Sequence, residues 1–327
     1  MEHVKYTFLL PAFKARFFEE ALKSIQTQTY KNFKVIISDD CSSEPLKAIF
    51  DKFAPDTRFA YRRNEQNMGS KSLVSHWNLL VDMCDTEYLI MASDDDIYEP
   101  LFLEEIDKLT LKYPEVDLIH ARVRVIDEYG EDIRHDEMYE EKASQLEFLT
   151  FLGKRDHVEC IANNVYKTSK LKQMGGFVDY PLAWASDTAT NNQMAKNGVA
   201  STTEMLFNFR MSGINISSTG KNDTMARQKL QAVFLFDVHL EALFASFSPI
   251  GSKLYTYQLQ MAKESQKLVV NITVWSHCSV LTFIELIRCI RFLTKQKYVK
   301  TGYDVYKILA RWLLAKWISI KYTKKND

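Results

Sequence analysis

Apolar residues in the first ninety positions follow two alternating periods. Short β-rich runs at 6–10, 35–38, 59–61 and 88–92 read as strands. Between them Phe18, Ala21, Leu22 and Ile25, then Leu46, Ile49, Phe50 and Phe53, then Leu73, Trp77, Leu80, Val81 and Cys84 recur three and four apart. Each set marks the buried stripe of an amphipathic helix. Strands alternating with helices of this length predict βαβ units, hence an α/β fold with a mostly parallel sheet and helices on both faces. Beyond Pro100 the pattern predicts a helix over 101–113, a strand over 118–126 and a turn at Asp127-Glu128-Tyr129-Gly130. From about Asp223 the periodicity is helical and rich in aromatics and Lys. An α/β unit over 1–221, with halves at about 1–100 and 101–221, is therefore expected to precede a helical C-terminal extension over 222–327.

Ligands of open parallel sheets bind beyond the carboxyl ends of the strands. Strand one runs there into Pro11-Ala12-Phe13-Lys14, strand two into Asp39-Asp40-Cys41-Ser42-Ser43, and strand four into Ser93-Asp94-Asp95-Asp96. Unit charges about 4 Å apart repel by roughly 4 kcal/mol at an effective dielectric of 20, so such a run must be solvated or neutralised. A divalent cation with oxygen ligands, Mg²⁺ or Mn²⁺, neutralises it and also draws in phosphate oxygens. Solvated turns capping the helices that follow account for either aspartate group alone. They do not explain why both groups share one sheet edge.

Composition narrows the function. Lys plus Arg and Asp plus Glu both number 42, which gives no electrostatic footprint for nucleic acid. The five cysteines form no CxxC pair and no zinc-ligand spacing, as expected of free thiols in a reducing compartment, and a cytoplasmic location is the expectation. The apolar stretches 268–275 and 278–284 are too short and too interrupted to span a bilayer.

The ordered motifs over roughly 4–218 resemble an inverting family 2 glycosyltransferase of the GT-A fold. Tyr6-Thr-Phe-Leu-Leu-Pro11-Ala-Phe13 is similar to the family's opening strand and loop. The stretch from Ala21 through Gln28 and Asp39-Asp40 to Ser42 is similar to its long second signature. Asn67-Met-Gly69-Ser-Lys71 and Trp77-Asn78 resemble the segment before its metal motif, and Ser93-Asp94-Asp95-Asp96 resembles the metal motif itself. Met174-Gly-Gly-Phe177 resembles its acceptor-side turn, and Asp187 falls where the family carries its general base.

The resemblance implies a nucleotide pocket formed by Pro11, Phe13, Asp40, Lys71 and Asp94, with Phe13 against the base, Asp40 accepting from a base N–H and Asp94 on the ribose. It implies Mn²⁺ or Mg²⁺ on Asp95 with Asp96, Arg210 as a diphosphate partner, and Asp187 as the base for the acceptor hydroxyl. The chain departs from the family at Lys14, a common Asn, at Ser93, often the first aspartate of the metal motif, and at Arg210-Met-Ser212, usually Arg-x-His. Read without the family, Ser186 or Asp187 is first of all a helix cap opening the polar run into Met194. The implied partners are a nucleoside-diphosphate sugar, uridine by preference, and a glycan or lipid-linked acceptor. A sugar nucleotidyltransferase would need a Gly-rich loop after strand one, and residues 10–18 contain no glycine; a non-catalytic nucleotide-sugar binder is the other alternative. Residues 303–322 form a basic amphipathic segment with tryptophans. It fits either a helix lying on the inner face of a membrane or a helix packed on protein.

Overall fold

The computed structural model describes residues 4–151, 158–213, 223–248 and 251–295, and after them residues 302, 305–306, 308–310 and 312–313. The strands are β1 (Tyr6–Ala12), β2 (Phe33–Asp39), β3 (Phe59–Arg63), β4 (Tyr88–Met91), β5 (Ile97–Tyr98), β6 (Leu118–Ile126), β7 (Asp132–His135), β8 (Lys142–Ala143), β9 (Asn164–Lys167) and β10 (Val199–Arg210). The helices are α1 (Phe18–Gln26), α2 (Leu46–Phe50), α3 (Leu73–Met83), α4 (Phe102–Lys112), α5 (Gln145–Phe151), α6 (Thr168–Gln173), α7 (Ser186–Met194), α8 (Asp223–Ala245), α9 (Lys253–His277) and α10 (Phe283–Lys295).

One sheet runs β3-β2-β1-β4-β9-β6-β10-β5, with β7 on β6 and β8 on β10. The first four strands are parallel, as the periodicity predicts. Beyond β4 the sheet is mixed, because β9 pairs antiparallel with both β4 and β6 while β6 and β10 are parallel. The chain leaves β1 for β2 on one side and β4 lies on the other, which makes the β1/β4 boundary the switch point where a ligand cleft opens.

Strand alternation divides the core. Tyr6, Phe8 and Leu10 pack with Ile25, Phe33 and Phe102 on one face, while Leu9 packs with Trp77, Leu80 and Phe177 on the other. The stripe Phe18, Ala21, Leu22 and Ile25 is buried on α1 as its spacing requires. Gln28 has a structural reason: its Nε2 donates to Glu99 O (2.8 Å) and its Oε1 accepts from Leu103 N (2.9 Å), tying the end of α1 to the loop that leaves the aspartate triplet.

The C-terminal region is helical. α8, α9 and α10 enclose an apolar cluster that also takes in Tyr180 and Ala189 of the α/β unit. Asn192 and Leu149 O both bond Gln266 of α9, which fastens the helices to the same unit. Val305, Ile308, Leu309 and Trp312 pack on that cluster, and Trp312 Nε1 donates to Leu281 O (2.8 Å). In the described part of the amphipathic segment these four residues face protein, while Tyr306 and Leu313 are exposed; 314–327 and the boundary at Lys221 lie outside the described residues. No helix among the described residues is long and apolar enough to cross a membrane.

The Gly175-Gly176 turn shows what the packing demands. Both glycines have positive φ, 87° and 89°. Asn78 on α3 clasps the next residue, donating to Phe177 O (3.0 Å) and accepting from Phe177 N (2.7 Å). A Cβ on Gly176 would stand 2.4 Å from Asn78 Oδ1, whereas one on Gly175 would meet nothing. Gly175→Ala should therefore cost only the backbone term, about 1–2 kcal/mol, and Gly176→Ala should cost more because the clasp must also give way. Urea denaturation of the two variants checks this; equal losses would remove the clasp from the explanation.

Candidate active site

At the switch point a cleft of about 710 Å³ opens between the carboxyl ends of β1, β2 and β4 and the start of α7. Pro11, Phe13, Asp40, Asp94, Asp95, Asp96 and Asp187 all line it. Seven of the nine residues singled out from the sequence thus meet in one place. Lys71 and Arg210 are not on the lining.

The loops are built by carboxylates working as acceptors. Asp39, at the end of β2, is fully buried and takes Ser42 N, Tyr61 OH and Arg63 Nη1, so it holds its own turn. Asp40 accepts from Met68 N (2.8 Å), Gly69 N (2.7 Å) and Asn64 Nδ2 (2.9 Å). Three of a carboxylate's roughly four lone-pair positions are thereby used to fold the loop 67–70 along the cleft. A Cβ at Gly69 would come within 3.0 Å of Asp40 Oδ2, which accounts for the glycine. Lys71 is exposed beyond this loop, its ammonium 3.4 Å from Gln66 Oε1.

The aspartate triplet is buried: Asp94, Asp95 and Asp96 are 9%, 7% and 3% exposed. Asp94 Oδ2 accepts from Phe13 N and Lys14 N (both 2.8 Å), which fixes the loop after β1 and leaves the Phe13 ring 43% exposed at the cleft. Burial pushes the Asp94 carboxyl up, and those backbone N–H groups pull it partly back. Asp95 is pushed up to about 6 by burial and by the charge of Asp94. Asp96 is raised well above the usual range by burial and by Asp95. Its two oxygens accept from Ser93 Oγ and Arg210 N, so it serves the loop from below.

Arg210 closes β10 underneath the triplet, 1% exposed. Its Nε donates to Asp95 O (2.9 Å), its Nη2 to Glu20 (2.6 Å), and its Nη1 to the carbonyls of Asp127 and Glu128 (3.4 and 3.3 Å). The structure therefore makes Arg210 the support of the metal-motif loop rather than a cation facing the cleft.

Asp187 stands in the first turn of α7. The cap position is Ala185, in left-handed conformation and without a side-chain cap bond. Asp187 Oδ1 accepts from its neighbour Thr188, through N (2.8 Å) and Oγ1 (3.4 Å). Its carboxyl is pushed up to about 6 by burial, with the charge of Glu159 adding to the rise. That value suits a proton acceptor working near neutral pH.

Two lining residues had no sequence signal of their own. Glu159 precedes β9; its carboxylate takes Asn191 Nδ2 from α7, one turn beyond Asp187, and lies 3.7 Å from His120 Nδ1, whose Nε2 is 3.5 Å from Asp136 Oδ2. Trp184 lines the cleft three residues before Asp187. Glu159 belongs to no motif and Trp184 only precedes Asp187 in the run Trp184-Ala-Ser-Asp187, because the contacts that place both form only in the folded molecule.

The donor set fits a divalent ion. Such an ion takes one or two carboxylates and completes its shell from phosphate and water, and Asp95 at this strand end offers oxygen of that kind. Among the described residues, no group of three or more His, Cys, Asp or Glu side chains is arranged to enclose an ion by itself.

With fold and cleft in view, the chain proves to belong to glycosyl transferase family 2, whose model matches residues 7–175, just over half of the 327. It is 23% identical over 138 residues to protein CgeD of Bacillus subtilis, 40% of this chain and 32% of that protein. It is 24% identical over 161 residues to an uncharacterized glycosyltransferase of Methanocaldococcus jannaschii, 49% and 53% of the two chains. The chain thus spans about half or less of the length of these curated relatives. Among solved structures it is similar to S. aureus TarS 1–349 in complex with UDP-GlcNAc, with TM-score 0.57, 14% identity, and coverage of 97% of this chain and 92% of that one. It is also similar to the mannosyltransferase PcManGT of Pyrobaculum calidifontis in complex with GDP-Man and Mn²⁺, with TM-score 0.53, 13% identity, and coverage of 96% and 87%. These likenesses establish the GT-A type of α/β fold.

Removing the Arg210 side chain leaves the Asp95 carbonyl and the loop carbonyls without their donor. Hydrogen bonds to charged groups contribute about 1.5–3 kcal/mol each in such settings. Arg210→Ala should lose at least that much stability by chemical denaturation, while Lys71→Ala should lie within about 0.5 kcal/mol of the parent. Equal stability of the two variants would contradict the supporting role.

Proposed function

We propose that the protein transfers a sugar from a nucleoside-diphosphate donor, UDP by preference, to an acceptor hydroxyl of a glycan or lipid-linked oligosaccharide. The transfer is a single displacement that inverts the anomeric centre. The observation that carries this reading is one cleft lined by Asp40, Asp94, Asp95 and Asp187, the last with its carboxyl pushed up to about 6 by burial. The bound UDP-GlcNAc and GDP-Man of TarS and PcManGT support it by analogy of fold.

In this reading residues 1–100 form the nucleotide half, 101–221 the acceptor half, and 222–327 a helical extension. Phe13 packs on the nucleobase, and Asp40 receives a base N–H with the lone pair its loop leaves over. Pro11 shapes the floor and Asp94 holds the ribose while fixing the Phe13 loop. A divalent ion, Mn²⁺ or Mg²⁺, would be held by Asp95 and supplies positive charge to the departing diphosphate. Asp96 and Arg210 keep the Asp95 loop in place. Asp187 takes the proton of the acceptor hydroxyl as its oxygen attacks, and Lys71 stands outside the cleft, where it meets only an extended part of the donor.

Asp187→Asn should leave donor binding within twofold and reduce transfer by about 10²–10⁴-fold. Asp95→Ala should lose the thermal stabilisation that UDP and Mn²⁺ together give. Because only the ionised carboxylate accepts a proton, turnover should fall as pH drops through about 6 and level off above it. Release of UDP from UDP-hexoses reads turnover and its pH dependence, and thermal shift with UDP and Mn²⁺ reads donor binding in both variants. Unchanged turnover in Asp187→Asn would end its role as base, and donor binding without any UDP release would favour a binding protein instead.

A further inference from the structure

The last turn before α7 is unusual in backbone and in what it carries. Leu182, Ala183 and Ala185 have φ of +58°, +54° and +62°. None is glycine, so the surroundings hold this backbone in a region such residues rarely enter, a condition that gathers at ligand clamps. At its centre, Trp184 is fixed from behind by the C-terminal helices. Its Nε1 donates to Thr273 Oγ1 of α9 (3.4 Å), the Lys229 ammonium of α8 lies 4.2 Å from its ring centroid, and the His277 ring meets it edge-on at 6.2 Å. Trp184 is also one of the residues lining the cleft, together with Asp187 and Glu159.

A flat apolar surface of fixed orientation beside two carboxylates matches a ligand with a C–H face and a hydroxyl edge. A pyranose ring has both. We propose that Trp184 is the stacking platform of an acceptor-sugar subsite, with Glu159 accepting a second hydroxyl next to the one Asp187 addresses. The proposal rests on the transferase reading for the word acceptor, and the platform itself stands on the geometry of the cleft. It also gives the helical extension a task, since α8 and α9 hold the ring. A large rigid aromatic binds at small entropic cost, which is why the tether matters.

Saturation-transfer NMR of the full chain with UDP and Mn²⁺ tests this with a panel of methyl pyranosides, glucitol serving as an open-chain control. Wild type should saturate the ring C–H protons of at least one pyranoside and not those of glucitol. Trp184→Leu should weaken that binding about tenfold or more, the equivalent of one lost stacking contact, and Trp184→Phe by less than about threefold. UDP affinity within twofold of the parent shows that the Leu variant is folded. Pyranoside binding unchanged in Trp184→Leu, or absent in wild type, overturns the platform. If the platform holds but wild type releases no UDP from any UDP-hexose, the transferase reading fails and the sugar subsite stands.

Discussion

Three aspartates in a row leave the sheet at the end of β4, each more than nine-tenths buried, and much of the surrounding structure serves to hold them there. Backbone N–H groups of Phe13 and Lys14 take Asp94, Ser93 and the Arg210 backbone take Asp96, and the Arg210 side chain grips the Asp95 carbonyl from beneath. The same bonds order the Phe13 loop and join β10, near the end of the α/β unit, to β4. A cluster of this kind is uncomfortable without a cation, and the raised proton affinities of all three carboxyls express that discomfort. In the proposed function, a bound divalent ion would relieve the repulsion among them.

The part of the cleft around Asp187 is organised differently. Asp187 is set by a strained turn and by α7, and that turn is anchored through Trp184, Tyr180 and Ala189 to the C-terminal helices. The extension is therefore part of the site's framework and not a passenger. Glu159 belongs to this part of the cleft, bonded to Asn191 of α7 and backed by the buried His120 and Asp136 pair.

The first hundred residues were largely legible in the sequence. Period-two and period-3.6 patterns there are long enough to separate strand from helix, and Asp40, Asp94 and Asp95 follow directly on strand ends. Other motif residues were legible as motif but not as mechanism: Gln28 and Asn78 turn out to be clasps, and Gly176 makes room for one of them. Side-chain direction was not readable, so Arg210 was expected to face the diphosphate and instead lies below the loop. The two-residue strands β5 and β8 are too short to show a period, and the antiparallel insertion of β9 is decided by tertiary pairing. Glu159 and Trp184 owe their places to contacts between distant segments, which no local pattern records.

The central claim is that the aspartate loop and a nucleoside diphosphate together make one divalent-cation site. Calorimetric titration of Mn²⁺ into the protein, with and without UDP, tests it most directly. The account predicts weak binding of either ligand alone and mutual tightening by about tenfold or more when both are present, because by linkage each must strengthen the other equally. Mn²⁺ affinity that is the same with and without UDP would contradict it.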